Sequence, residues 1–190
     1  MAGQSAFAQK YVTTKNAKKR ALKAFNEGLQ HARYQQYIEA TYAFDKAIKK
    51  SPKFVDAYLN RADAYYAMTN FAKAEKDFEK VLEIAPDFNV RIYFVLGLTE
   101  YEQSKYEEAV THIQYFLDSD YKGKRLLAKA KRTLENCKFA AEAVKNPVPF
   151  DPQNLGENIN TPYPEYLPTI TADGQTFIFT RRNGRQEDFY

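Results

Sequence analysis

The chain has no tryptophan, one cysteine and two histidines among its 190 residues. Because Cys137 has no second cysteine as a partner, the sequence excludes an intramolecular disulfide and a metal cluster built from cysteines. No apolar run reaches the roughly 18 residues that a membrane-spanning helix needs, so we predict no transmembrane segment. A single cysteine does not fix the redox compartment.

Residues typical of an active site are equally scarce. His31 and His112 lie 81 positions apart, and neither has a serine, cysteine or carboxylate at the spacing of a catalytic triad or a metal site. There is no glycine-rich phosphate loop, and Asp173-Gly174 is typical of a turn. We therefore predict no catalytic residue, no cofactor and no metal, and a chain that is not an enzyme.

Positive charge is concentrated near the start of the chain. Residues 1–50 hold ten Lys and Arg against three Asp and Glu, although the whole chain has a net charge of only +4. The cations at the start of the first predicted helix are Lys15, Lys18, Lys19, Arg20 and Lys23. Such a cluster suits anionic lipid or nucleic acid, but no nucleic-acid-binding motif accompanies it. We interpret it as a solvated helix face.

The first residues show no periodicity, and we predict a flexible segment over residues 1–14. A complete signal peptide is missing. The segment Ala6-Phe7-Ala8, followed by Gln9 and Lys10, looks like the small-x-small end of a signal peptide whose apolar region has been removed.

A small residue, an aromatic residue and a proline recur 34 positions apart. They are Ala40, Phe44 and Pro52, and then Ala74, Phe78 and Pro86. A third copy is offset by 35, and we place its extra residue in the loop near residues 87–90, where an insertion costs little. This period and this order of positions predict pairs of helices stacked into a solenoid.

The repeat predicts helices over residues 15–33, 37–50, 55–68 and 71–84, with Thr13 or Thr14 as the first N-cap. A third pair follows, whose second helix begins at Tyr106, and a last helix covers residues 124–145. The last helix has one apolar and one charged face, as a helix that closes a solenoid needs.

The composition changes after residue 146. Six of the eight prolines lie between Pro147 and Pro168, so we predict an extended linker over residues 147–168. Residues 176–180 read as a β-strand, and Asn183-Gly184 predicts a hairpin turn. Because a lone hairpin is marginally stable in water, we expect the chain to be the front part of a longer polypeptide.

Residues 20–145 resemble the tetratricopeptide-repeat family on these small, aromatic and proline positions. The resemblance implies an all-α solenoid of three repeats plus a capping helix over residues 15–146. In that family the first helix of each repeat lines a concave groove that binds a peptide or a partner helix. The groove positions carried over to this sequence are Phe25, Leu29, Leu59, Asn60, Asp63, Tyr66, Arg91, Phe94, Leu98 and Tyr101. The alternative is that Phe25, Leu29 and Phe94 pack against neighbouring helices or against the basic N-terminal extension.

Co-chaperones of this family hold the terminal carboxylate of a peptide in a clamp of Lys, Asn and Arg. The first two clamp positions are Phe25 and Leu29 here, and neither side chain can bind a carboxylate. Only Asn60 matches outright. We therefore do not expect the carboxylate-clamp function.

The C-terminal part resembles the first blade of a Tol-B/PD40-type β-propeller, through residues 168–174 and 177–181, so residues 169–190 are predicted to begin such a domain. With the joint at residues 146–156, the whole chain resembles Bacteroidota envelope proteins that carry tetratricopeptides, a PD40 propeller and an OmpA-like domain. Some of those proteins belong to the type IX secretion and gliding machinery.

This resemblance implies a non-enzymatic scaffold that is periplasmic, associated with the outer membrane and bound to another envelope protein. A cytosolic co-chaperone-like adaptor is the alternative.

Overall fold

The computed structural model describes residues 11–148, 156, 159, 161–171, 174–184 and 186–189. The chain divides into two compact units, Met1–Pro147 and Val148–Tyr190. The described part of the first unit is helical, and the described part of the second contains a β-sheet.

The helices of the first unit follow the predicted repeat. They are α1 (Lys19–Arg33), α2 (Tyr37–Lys50), α3 (Val55–Ala67), α4 (Phe71–Ile84), α5 (Arg91–Tyr101), α6 (Tyr106–Leu117) and α7 (Lys124–Lys145). The bounds of α2, α4 and α7 agree with the prediction. Helix α1 begins later than predicted and lacks a side-chain cap, because Thr13 instead forms a turn in which its amide donates to Asn16 Oδ1 at 2.6 Å.

Each helix packs mainly on its neighbours in the chain, and α1 also contacts α3, as α5 contacts α7. Helices α1, α3, α5 and α7 therefore form one layer, and α2, α4 and α6 form the other. The core lies between the layers, in three clusters that follow the chain from α1 to α7.

Small residues let the two helices of a repeat approach closely. A Cβ atom at Gly28 would lie 2.6 Å from Cδ1 of the buried Phe44 ring. At the same repeat position in α5, a Cβ atom at Gly97 would lie 2.5 Å from Ile113 Cγ1. Only a residue without a side chain fits at these two contacts.

An ion cluster joins the first two repeats across both layers. Arg61 of α3 donates from Nε and Nη2 to the two carboxylate oxygens of Asp77 at 2.7 and 2.6 Å, and from Nη1 to Asp45 of α2. Its guanidinium also lies 5.4 Å from the centre of the Tyr58 ring. Because Asp77 is buried, its charge depends on this arginine for compensation.

The segment before α1 is attached to the second repeat. Val12 forms a parallel bridge with Phe54, its amide donating to Lys53 O at 2.8 Å and its carbonyl accepting from Val55 N at 2.9 Å. The last four residues of the segment predicted to be flexible, 11–14, are thus held at the start of α3. Residues 1–10, with the predicted signal remnant, lie outside the described residues.

The described residues of the second unit form three antiparallel strands in the order β1-β2-β3. They are β1 (Glu165–Ile170), β2 (Phe177–Asn183) and β3 (Gln186–Phe189). The sequence predicted β2, β3 and their turn, where Asn183 pairs with Gln186 and Gly184 has φ of +65°.

Strand β1 was missed because it lies partly in the predicted proline-rich linker. Pro168 lies within it, where the register shifts between Tyr166 and Thr169. A proline is tolerated there because β1 is an edge strand and the irregularity needs no ladder bond from its nitrogen. The structure therefore shows a three-stranded sheet where the sequence predicted a two-stranded hairpin, and the propeller blade stays a prediction.

The contact between Gly28 and Phe44 gives a test of the packing. We expect Gly28→Ala to lower the free energy of unfolding by about 1–3 kcal/mol, because the new methyl group overlaps the ring. Urea denaturation measures the change. Asn26→Ala, at an exposed position of the same helix, is the control and should be neutral or slightly stabilising, since alanine favours helix. Equal stability of both variants would contradict the close approach.

Candidate functional site

The candidate site is the solvent side of the layer formed by α1, α3, α5 and α7, which we call the inner face. Most groove positions predicted from the sequence belong to helices of this layer and are accessible in part. Those that are exposed or half-buried are Leu29, Leu59, Asn60, Asp63, Tyr66, Arg91, Leu98 and Tyr101.

Two of the predicted groove residues belong to the core. Phe25 is 3% exposed, and its ring centre lies 5.6 Å from that of Phe44 and 5.1 Å from that of Phe54. Phe94 is 2% exposed and packs on Phe116 at 5.5 Å. Neither ring offers a surface to a ligand, so both are removed from the candidate site. The two rings fill the space between helices that the small residues of the repeat leave open.

Tyr66 and Tyr101 occupy equivalent positions at the ends of α3 and α5. Each half-buried ring meets, nearly edge-on, the first residue of the next helix, with Tyr66 at 5.3 Å from Phe71 and Tyr101 at 5.5 Å from Tyr106. The two rings are thereby held at one position of successive repeats. Rigid aromatic side chains of this kind give a partner a large contact area at a low cost in side-chain entropy.

Asp63 lies on α3 between these aromatic positions and Asn60. Its side chain is exposed, and in the described part of the chain no hydrogen bond or ion pair to its carboxylate is seen. Neighbouring protein atoms on the inner face exclude part of the water around the Asp63 carboxylate, and this partial desolvation raises its pKa to about 6. A carboxylate in such surroundings is a candidate for contact with a ligand.

A basic cavity of about 850 Å³, which we call the α5–α7 cavity, opens between the start of α5 and the first half of α7. Nine residues of the described part of the chain line it, of which five are basic and none is acidic. The lining residues are Arg91, Tyr121, Gly123, Lys124, Arg125, Leu126, Ala128, Lys129 and Arg132. Of these, the sequence analysis selected only Arg91. The helical spacing of the basic residues in 124–132 was the signal that could have revealed the others.

The remaining titratable groups singled out from the sequence are structural. His112 Nδ1 lies 2.8 Å from Oε2 of Glu100, which is 2% exposed, and this carboxylate raises the pKa of the histidine. Burial raises the pKa of the Cys137 thiol to about 11, so the thiol stays protonated and unreactive. His31 bonds to Gln36 at 2.8 Å.

Within the described ranges, no group of three or more His, Cys, Asp and Glu side chains could hold a metal. Among the same residues, no helix combines the length and the apolar character needed to cross a membrane.

Comparison with known families bears on the helical unit. The model of the tetratricopeptide repeat matches residues 55–88, which cover α3, α4 and the loop that follows. The helical unit therefore contains a tetratricopeptide repeat. The match lies on the second repeat, and the other two helix pairs share its architecture.

Relatives of this tetratricopeptide module occur in much longer proteins. Hsp70-Hsp90 organizing protein 1 of Glycine max is 30% identical over 139 residues, which cover 73% of this chain and 23% of that protein. Sperm-associated antigen 1 of Homo sapiens is 33% identical over 129 residues, covering 66% and 13%. The chain thus spans about a quarter or less of the length of these relatives.

Solved structures share the fold. The first TPR of Spaghetti (RPAP3) bound to the HSP90 peptide SRMEEVD superposes with a TM-score of 0.59 at 22% identity, covering 67% of this chain and 96% of that chain. The TPR2B domain of yeast Sti1 in its pHsp70 complex gives 0.54 at 23% identity, covering 67% and 99%. At these identities the likeness shows the architecture alone.

The raised pKa of Asp63 makes a prediction about stability. Because the folded-state pKa of about 6 exceeds the ordinary value of 3.8, the folded protein holds this proton more tightly than the unfolded chain does. The stability from that proton is therefore lost as the pH rises from about 4 to about 6. We expect Asp63→Asn to raise the melting temperature at about pH 7, with an advantage that shrinks towards about pH 4.

Thermal unfolding of both proteins across this pH range checks the prediction. Glu27→Gln, at an exposed position of α1, controls for the loss of one negative charge. An Asp63→Asn advantage that is constant with pH would show that the carboxylate is not desolvated.

Proposed function

We propose that the helical unit is a non-enzymatic adaptor that binds a peptide segment of a partner protein on its inner face. The observation that carries the proposal is the pair Tyr66 and Tyr101, held at equivalent positions of successive repeats by Phe71 and Tyr106. Two aromatic anchors on neighbouring helices suit a segment that crosses the helix layer. The solved structures of this fold in complex with HSP90 and HSP70 peptides support the same use of the architecture.

The inner face next to the two tyrosines has the composition of a peptide-binding face. Leu59 and Leu98 add apolar area, while Asn60 and Asp63 add polar groups that can align a backbone. The amide nitrogen of Asn60 is already bonded to Asp56 O at 2.7 Å, which orients that side chain on α3. A few oriented polar groups within an apolar surface provide specificity without a large desolvation cost.

The relatives favour a co-chaperone-like adaptor over the envelope scaffold that the sequence resemblance implied. They give no support to a periplasmic or outer-membrane placement or to type IX secretion. The residues at the two apolar clamp positions take part in helix packing, because Phe25 is buried and Leu29 packs on the first core cluster. The adaptor we propose therefore binds its partner segment without the complete carboxylate clamp.

An envelope scaffold is the second candidate. It is favoured by the sequence of residues 146–181 and by the antiparallel sheet that residues 165–189 form. Fractionation of the source cells distinguishes the two candidates. Recovery of the natural protein with the outer membrane supports the scaffold, and recovery in the cytosol with a chaperone supports the adaptor.

The adaptor proposal predicts where a partner makes contact. A photo-crosslinking residue placed at Tyr66 or Tyr101 should link to partner proteins in an extract of the source cells. The same residue at Tyr42 of α2 or Tyr115 of α6, in the other layer, is the matched control, since both tyrosines are exposed.

The double variant Tyr66→Ala/Tyr101→Ala should lower affinity for a partner so identified by at least about tenfold, because buried aromatic anchors dominate binding energy. The variant Tyr42→Ala/Tyr115→Ala should retain it. Equal crosslinking from both layers, or equal affinity of the two double variants, would contradict the proposal.

A further inference from the structure

We propose that the α5–α7 cavity is the anion-recognition part of the inner face, and that it takes a carboxylate-rich internal segment of the partner polypeptide. This inference rests on the proposed function and names the chemistry of its ligand. It places charge recognition at the end of the inner face opposite α1, where the clamp of related co-chaperones would begin.

The charges of the cavity have no internal counterpart. Within the described residues, none of its five cations forms an ion pair, whereas Lys80, Lys105, Lys138 and Lys145 each pair with a glutamate. Asp87 and Asp120 line the neighbouring cavity, and Asp120 faces Lys122 at 3.7 Å. Five exposed like charges around one opening produce a positive potential that attracts an external anion.

The basic side chains are arranged for contact with several anionic groups at once. Arg125, Lys129 and Arg132 follow at i, i+4 and i+7 on one side of α7. Arg91 approaches from the first position of α5, and the ammonium of Lys129 lies 6.0 Å from the centre of the Phe94 ring. Because a guanidinium binds a carboxylate through two parallel hydrogen bonds, three arginines on two helices suit successive acidic side chains.

An apolar position adjoins the basic side of α7. Phe139 is 77% exposed and lies two turns after Arg132 on the same side of the helix. A segment that places acidic residues in the cavity can therefore set an apolar residue against this ring. Exposed aromatic surface next to clustered cations favours a polypeptide of mixed composition as the ligand.

The aromatic groups of the cavity argue against a single-stranded nucleic acid. Tyr121 is the aromatic residue in the wall, and its ring packs on Phe116 at 5.2 Å. Its hydroxyl lies over Gly123, where a Cβ atom would be 2.5 Å away. One side of this ring is therefore occupied within the protein, so the cavity wall offers a base less stacking surface than an open aromatic ring would, and stacking is a main source of affinity for single strands.

The test uses the whole chain and a fluorescein-labelled octaglutamate with an amidated C-terminus. Fluorescence anisotropy should show binding that weakens steeply as salt rises from about 50 to about 200 mM. Arg125→Glu/Arg132→Glu should weaken it by at least about tenfold, since two contacts are lost and two repulsive charges are added. Lys131→Glu/Lys138→Glu makes the same charge change on α7 outside the cavity lining, and should weaken binding less than about threefold. Circular dichroism confirms that both variants are folded.

Two further probes separate the ligand chemistries. Octaglutamate with a free C-terminus should bind within about twofold of the amidated form, because the proposal needs no terminal carboxylate. A single-stranded oligonucleotide of equal charge should bind more weakly than octaglutamate. Much tighter binding of the free-carboxylate peptide, or of the oligonucleotide, overturns the inference, as does equal binding by the two charge variants.

The outcomes also separate this inference from the proposed function. If Arg125→Glu/Arg132→Glu leaves octaglutamate binding unchanged while Tyr66→Ala/Tyr101→Ala still reduces partner affinity, the inference is wrong and the adaptor stands. The opposite outcome is that Arg125→Glu/Arg132→Glu no longer binds octaglutamate while Tyr66→Ala/Tyr101→Ala binds the partner as tightly as the unmodified chain. The anion site is then supported, and the placement of the partner across the tyrosines is wrong.

Discussion

The contact of a glycine with a large residue inside the first and third helix pairs is the constraint on which the helical unit depends. Gly28 against Phe44 and Gly97 against Ile113 leave no room for a methyl group, and they set the distance between the two layers. Where the helices approach this closely, large residues such as Phe25 and Phe94 are enclosed as core. The residues that remain accessible on the inner face are therefore those that this close packing does not enclose. The packing of the core therefore determines which residues form the candidate site.

Charged side chains occur in two arrangements in this molecule, one that stabilises the fold and one that we assign to ligand binding. Inside the helical unit, several buried or half-buried charges have partners, as in Arg61 with Asp77 and Glu100 with His112. In such pairs the attraction between opposite charges at hydrogen-bond distance offsets the free-energy cost of desolvation. The α5–α7 cavity holds clustered positive charge without that compensation. This contrast directs attention to an external anion.

Much of the helical unit could be predicted because its repeat is local. The period, the small positions and the prolines predicted helices α1 to α6, the apolar and charged faces of residues 124–145 predicted α7, and the bounds of α2, α4 and α7 agree with the structure. Strand β1 was missed because proline content is a local signal, whereas an edge strand with an irregular register is defined by its partner strand. The groove list also included Phe25 and Phe94, since a position in a repeat does not state how deeply a side chain is enclosed.

By itself, the sequence determined the repeat and the helix order, because these depend on residue type and spacing along the chain. Only the tertiary structure decided which inner-face residues are accessible and that Arg91 of α5 shares a cavity with residues 124–132 of α7. It also decided that Asp63 lies in surroundings that raise its pKa. Burial, cavity shape and desolvation arise from atoms brought together across helices, and no spacing within one helix encodes them.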